Sequence, residues 1–288
     1  MTVAVECAVR GADKLGECCL WDERESRLWW VDSRGPMLKS LDAHGAVTML
    51  ALPETVGSVA FREKGGMLAA TKSGLYFLDP WSGELQRAAA PEPDQPDNRF
   101  NDGRCDRAGR FWAGTMNDKM REPSGALYSF EKDLSYVKFK GGITIPNSLC
   151  WSPDGATMYF ADTMRHLIWA YDYDLATGAA THERVFVDAK PGRPDGSCVD
   201  ADGCLWNAEY GSWRVVRYTP QGKLDRAVEL PVQNPTCCCF GGDGLEVLYV
   251  TSATQRLLQE DLAKQPLAGS LFALRPGARG LPESRFAG

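Results

Sequence analysis

The chain has 288 residues, enough to bury a substantial core as one large domain or two ordinary ones. A hydrophobic share of 44% and a charged share of 24% are those of a soluble globular protein, and no run of about 18 apolar residues is present to span a membrane. The formal net charge of −6 argues against non-specific nucleic-acid binding, which needs a basic face to displace counterions.

Read in chain order, the N-terminus Met1-Thr2-Val3-Ala4-Val5-Glu6 shows no basic region followed by an apolar core. No secretory signal is read there, and a cytoplasmic location is expected. The ten cysteines are therefore expected to be reduced thiols. The runs Cys18-Cys19 and Cys237-Cys238-Cys239 lack the two-residue gap of a zinc clamp. Neighbouring strand residues also point to opposite faces, so packing is their expected role.

From there a short apolar run, a turn and a second apolar run recur six times. The clearest copy is Cys198-Val199-Asp200-Ala201-Asp202-Gly203-Cys204-Leu205-Trp206, whose Asp-Gly pair marks a hairpin. Aligned on Asp22, Arg62, Asp106, Ser152, Asp200 and Gly241, the copies are 40, 44, 46, 48 and 41 residues apart. Each continues into strand-like segments such as 28–32, 67–71 and 158–162, then 75–79, 126–130 and 168–172. A Gly-containing turn and a more polar fourth segment such as 184–187 complete the unit. Four short strands at this period are the mark of a propeller blade. The expected architecture is all-β, a six-bladed β-propeller forming a single domain over residues 1–288. The Pro-rich stretches 91–96 and 191–194 fall between blades. Val3-Ala4-Val5 is expected to close the ring beside Ser270-Leu271-Phe272-Ala273-Leu274, hiding a free edge. The one helix-like stretch, 257–264, belongs to a loop of the sixth blade.

The innermost strands of a propeller run along its central channel, so residues just ahead of them should ring one mouth. Five residues before the aligned positions stand Glu17, Gly57, Asn101, Asn147, Asp195 and Thr236. Glu17, Asn101, Asn147 and Asp195 can each present a hard oxygen. Such a set suits calcium, magnesium or manganese, and zinc or iron would fit with waters completing the shell. Singly each has an ordinary explanation: Asp195-Gly196 and Asn101-Asp102-Gly103 spell turns, Asn147 follows Pro146, and Glu17 could be a solvated loop carboxylate. The shared offset is what singles them out. Arg99, two residues before Asn101, is suited to hold a polyhydroxylated or carboxylated ligand. Lys119 is read as a solvated loop lysine. His44, His166 and His182 fall outside the register, which leaves no Ser-His-Asp arrangement, and no covalent acyl-enzyme is expected.

Seven pieces occur in order along the chain: Leu15-Gly16-Glu17, Arg99-Phe100-Asn101-Asp102-Gly103, Ala113-Gly114-Thr115-Met116, Ile145-Pro146-Asn147-Ser148-Leu149, Pro194-Asp195-Gly196, Cys238-Cys239-Phe240-Gly241-Gly242 and Phe286-Ala287-Gly288. Through them the sequence resembles the gluconolactonase and senescence marker protein (regucalcin) family over essentially its whole length. The resemblance implies a six-bladed propeller with one divalent metal ion held by Glu17, Asn147 and Asp195, and a sugar ligand contacted by Arg99 and Asn101. Lys119 stands where the animal members have a glutamate on the ligand-binding loop. The activity implied is metal-dependent opening of a sugar aldonolactone. The metal would polarise the carbonyl, Asp195 would take a proton from the attacking water, and Arg99 and Asn101 would hold ring hydroxyls. A calcium-binding regulatory protein of the same fold without turnover is the alternative. A propeller serving only as a protein-binding platform fits less well with the oxygen ligands. The expected partner is a small sugar lactone, with no nucleic acid or membrane, and the expected state is a monomer or small oligomer.

Overall fold

The sixfold repeat folds as six four-stranded antiparallel sheets in the computed structural model, which describes residues 3–119 and 122–288. The first blade runs outward through Gly16–Asp22, Arg27–Asp32, Met37–Asp42 and Val47–Ala51. The other inner strands are Val56–Phe61, Asn98–Cys105, Pro146–Trp151, Arg193–Val199 and Pro235–Gly241. Each inner strand contacts the next, and the sixth contacts the first, so they form a closed ring. Burial follows position. Every residue of Pro146–Trp151 and Pro235–Gly241 is buried, whereas the outermost strand Val47–Ala51 is almost wholly exposed.

The ring is closed by the strand Val5–Val9, which is the outermost member of the sixth blade and pairs with Leu271–Leu274, Val5 opposite Leu274. The closing strand thus begins where the sequence expectation ended it. Val3 instead packs against the apolar cluster between the fifth and sixth blades. The helix is shorter than expected, Gln259–Lys264, and interrupts the sixth blade without a buried residue. No helix among the described residues is long and apolar enough to cross a membrane.

Six apolar clusters hold the blades together, one at each interface. Trp112 and Leu127 of the third blade meet Trp151 and Phe160 of the fourth. Trp206 and Val215 of the fifth meet Phe240 and Phe272 of the sixth. Nine of the ten cysteines are buried and all are free, with Cys19, Cys237 and Cys239 packed against Trp30 and Leu271 where the sixth blade meets the first. Burial pushes the Cys18 and Cys19 thiols well above their ordinary value, which suits inert packing groups.

The C-terminal tail lies against the far ends of the inner strands, where Leu281, Pro282, Glu283 and Ser284 share one pocket with Cys105, Trp151, Val199 and Phe240. Phe286 is fully buried between the second and third blades beside Phe111 and Phe130, and its N–H donates to Phe61 O at 2.8 Å. Glu283 reaches Arg104, whose Nη1 donates to Ser197 O at 2.9 Å and whose Nη2 donates to Cys19 O at 3.5 Å. One buried guanidinium thus ties the inner strands of the first, third and fifth blades to the tail. Truncating a buried phenyl ring typically costs about 3–5 kcal/mol. Phe286→Ala should therefore lower the denaturant midpoint substantially. A loss below about 1 kcal/mol would show the tail to be dispensable.

Candidate active site

Every inner strand slips register against its neighbour near its start. The shifts fall between Glu17 and Leu20, Val56 and Ser58, Phe100 and Gly103, Asn147 and Cys150, Pro194 and Ser197, and Pro235 and Cys238. A bulge bends a strand and re-aims its side chains. Two residues pay in backbone strain: Cys18 and Ser148, directly after Glu17 and Asn147, take φ of 49° and 61°. The six register positions therefore lie within the inner strands rather than ahead of them. Asn101-Asp102-Gly103 and Pro194-Asp195-Gly196 are bulged strand, not turns. Glycine is required at 196 because a Cβ there would stand 2.5 Å from Cys237 Sγ.

Four of the six positions converge. Glu17, Asn101, Asn147 and Asp195 line one cavity of about 70 Å³, together with Arg99. The other two are committed elsewhere. A Cβ on Gly57 would lie 2.5 Å from the carbonyl oxygens of Phe100 and Asn101, so the third blade's backbone occupies that place. Thr236 Oγ1 is hydrogen-bonded to Gly16 O and to Thr251 Oγ1, joining the sixth blade to the first. A larger cleft of about 580 Å³ opens near Arg24, Arg62 and Trp81, but none of the six positions reaches it.

A chain of hydrogen bonds fixes the donors across three blades. Arg99 Nε donates to Asp118 Oδ1 at 2.8 Å, and its Nη1 donates to Phe100 O and Asn101 Oδ1, both at 2.8 Å. Asn101 Nδ2 in turn donates to Pro146 O at 2.9 Å and Asn147 Oδ1 at 3.1 Å. Asn147 Nδ2 donates to Thr163 Oγ1 at 2.8 Å, and Thr163 Oγ1 donates to Pro194 O at 2.7 Å, next to Asp195. The Oδ1 atoms of Asn101 and Asn147 each accept one hydrogen bond in this relay and keep a second lone pair, while both Asn101 amide groups are held by neighbours, which fixes its orientation. From below, Ser148 Oγ and Asn207 Nδ2 donate to Asp195 O at 2.6 and 3.1 Å.

Electrostatics set the carboxylates apart. Burial, then the charge of Asp195, pushes the Glu17 carboxyl well above the usual range, with Arg99 offsetting this in part. Burial, then Asp102, does the same to Asp195. Arg99 is itself lowered to about 10 by burial and by Arg34, and remains charged at neutral pH. Asp195 Oδ1 is buried without a hydrogen-bond partner. A buried, unpartnered carboxylate oxygen beside a second buried carboxylate is what a hard divalent cation with oxygen ligands would satisfy. The residues present fit such an ion. Among the described residues no three His, Cys, Asp or Glu side chains form a metal-binding group. Glu17 and Asp195 are only two carboxylates, and the third donor of this set, Asn147, is an amide.

Lys119 lies off the cavity, with Nζ 2.8 Å from Asp97 Oδ1 and both side chains more than half exposed. None of the histidines reaches the cavity; His166 Nδ1 donates to Gly192 O at 2.6 Å, and His182 meets Asp172. The repeat offset does not pick out Arg34, Thr163, Tyr210, Arg193 or Arg256, all of which line the cavity. For Arg193 a signal exists: it stands two residues before Asp195, as Arg99 stands before Asn101.

A model of the SMP-30/gluconolactonase/LRE-like region matches residues 15–254. The chain belongs to the SMP-30/gluconolactonase family. This membership makes it a lactonase in the broad sense, a hydrolase of cyclic esters. It is 38% identical to the 6-deoxy-6-sulfogluconolactonase of Pseudomonas putida over 292 residues, covering the whole of both chains. It is also 38% identical to chicken (Gallus gallus) regucalcin over 298 residues, covering all of this chain and 99% of that one. Among solved structures it is similar to regucalcin from Agrobacterium tumefaciens, described as a calcium-binding protein. That likeness has a TM-score of 0.95 and 34% identity, covering 99% of this chain and 98% of the other. The six-bladed propeller of this family is thus the fold of the chain.

Proposed function

We propose that the protein is a divalent-metal-dependent lactonase that opens a sugar aldonolactone to its aldonic acid, with one propeller domain over residues 1–288 carrying the site. The observation behind this reading is the convergence of Glu17, Asn147 and Asp195, oxygen donors from three blades, on a cavity that Arg99 and Asn101 also line. When bound there, a divalent ion would supply Lewis-acid polarisation of the lactone carbonyl. All-oxygen donors favour calcium, magnesium or manganese, and the calcium-binding description of the Agrobacterium relative supports an ion of that kind.

The protein's own groups do the rest. Asp195 takes a proton from water as the water oxygen adds to the carbonyl carbon, and returns it to the ring oxygen as the ester C–O bond breaks. As a ligand of the ion this carboxylate would be kept ionised, and so able to accept that proton. Arg99 has Nε and Nη1 engaged within the protein, which leaves Nη2 for a ring hydroxyl. Asn101, held between Arg99 and Asn147, keeps that guanidinium in place.

The test is acid release from a panel of aldonolactones by the metal-loaded protein. No lactone opened above the buffer rate, with metal bound, would favour the calcium-binding protein without turnover. Arg99→Ala should lower kcat/KM by about ten-fold or more, the worth of a charged hydrogen bond, while bound metal stays constant. Unchanged kinetics across the panel would remove Arg99 from substrate binding.

A further inference from the structure

The shape of Asn147 does not decide which way its amide turns. The two ends of a carboxamide are alike in size, but one is an oxygen that attracts a cation and the other an NH2 group that repels it. The neighbours decide the orientation, and at Asn147 they do so from both ends of a relay.

At one end stands Arg99, which can only donate. Its Nη1 donates to Asn101 Oδ1 at 2.8 Å, so Asn101 turns its Nδ2 toward Asn147 and meets Oδ1 there at 3.1 Å. At the other end stands the Pro194 carbonyl, which can only accept. It takes the hydroxyl proton of Thr163 at 2.7 Å, which leaves Thr163 Oγ1 only lone pairs to offer Asn147. Asn147 Nδ2 donates to that oxygen at 2.8 Å. A reversed amide would set NH2 against NH2 at Asn101 and oxygen against oxygen at Thr163. It would also put an NH2 group where the Asn147 oxygen now stands.

Thr163 is itself firmly placed. It directly follows the second strand of the fourth blade, Thr157–Asp162, is buried, and its N–H donates to Ile145 O at 3.0 Å. Asp162 beside it accepts from the N–H groups of Thr144 and Ile145 at 3.0 and 3.1 Å. The hydroxyl therefore stands on the backbone that leads into Pro146 and Asn147, and reaches from there to the fifth blade.

We infer that Thr163 is a positioning residue for the metal site: its hydroxyl, polarised by the Pro194 carbonyl, holds the Asn147 amide with the oxygen on the cavity side. The inference rests on the proposed ion site and adds a residue that acts through one of its ligands.

The experiment titrates calcium, magnesium and manganese into metal-free wild type, Thr163→Val and Thr163→Ser, with Kd read by calorimetry. Valine keeps the shape of threonine without the hydroxyl, whereas serine keeps the hydroxyl without the methyl group. For the ion that wild type binds most tightly, Thr163→Val should raise Kd by about ten-fold or more, and Thr163→Ser should stay within about three-fold of wild type. A role in packing alone predicts the opposite order. The Asn147→Asp background separates orientation from damage to the fold. Aspartate offers oxygen at both ends, so adding Thr163→Val there should leave Kd within about two-fold. The inference fails, and the lactonase reading stands, if Thr163→Val binds the ion as tightly as wild type. It fails likewise if Thr163→Ser binds as weakly as Thr163→Val, or if Thr163→Val weakens binding equally in both backgrounds. If wild type binds none of the three ions, the metal-dependent reading fails, and this inference falls with it.

Discussion

Asp195→Asn should slow lactone opening by about 10³-fold at saturating metal, the combined loss of a base and of a charged ligand. Asparagine keeps the shape and the backbone contacts that Ser148 and Asn207 make to the residue 195 carbonyl. It also relieves the repulsion between two buried carboxylates, so the fold itself should survive. Initial rates on the best lactone of the panel, with metal content measured on the same sample, check this. A variant that kept its rate within about ten-fold of wild type would exclude Asp195 as the base.

The second large effect is on stability. In metal-free protein, Glu17 and Asp195 are buried together with no cation between them, and each is disfavoured in its charged form. A divalent ion that binds only the folded chain at about a hundred times its Kd should stabilise it by about 2.7 kcal/mol, or a rise of about 5–10 °C in Tm. The Glu17→Gln/Asp195→Asn double variant should show no such rise. Free of metal, it should melt above metal-free wild type, because the like charges are gone. A metal-induced rise in the double variant equal to that of wild type would place the ion elsewhere.

The features that could be read from the sequence are those encoded by local chemistry. Asp200 Oδ1 accepts from the N–H groups of Asp202 and Cys204 at 3.0 and 2.9 Å, and Asp106 Oδ1 accepts from those of Ala108 and Arg110 at 2.8 and 2.9 Å. Such self-capping turns recur at a blade's spacing, so the six-bladed fold is legible from their period alone. The offset from those turns also finds Glu17, Asn101, Asn147 and Asp195, because every inner strand carries its bulge at the same level. The bulge itself is not legible: Pro-Asp-Gly spells a turn until Cys237 of the next blade is seen pressing on Gly196. Tyr210 enters the cavity from the end of a second strand, and Arg34, Thr163 and Arg256 from the loops that follow second strands. No repeat offset leads to them, since the loops differ from blade to blade. The closing strand is displaced for a similar reason. Pairing register with Leu271–Leu274, set by the sixth blade, decides which N-terminal residues join the sheet.

Whether a divalent ion held by Glu17, Asn147 and Asp195 is needed for turnover is decided by one measurement. The initial rate of lactone opening is followed on a single preparation as purified, after exhaustive chelation, and during stepwise return of the metal, with bound metal quantified at each step. Turnover should disappear with the last of the metal and return in proportion to it, reaching its plateau at a single ion per chain. Full turnover by protein from which all metal has been removed would contradict this mechanism outright.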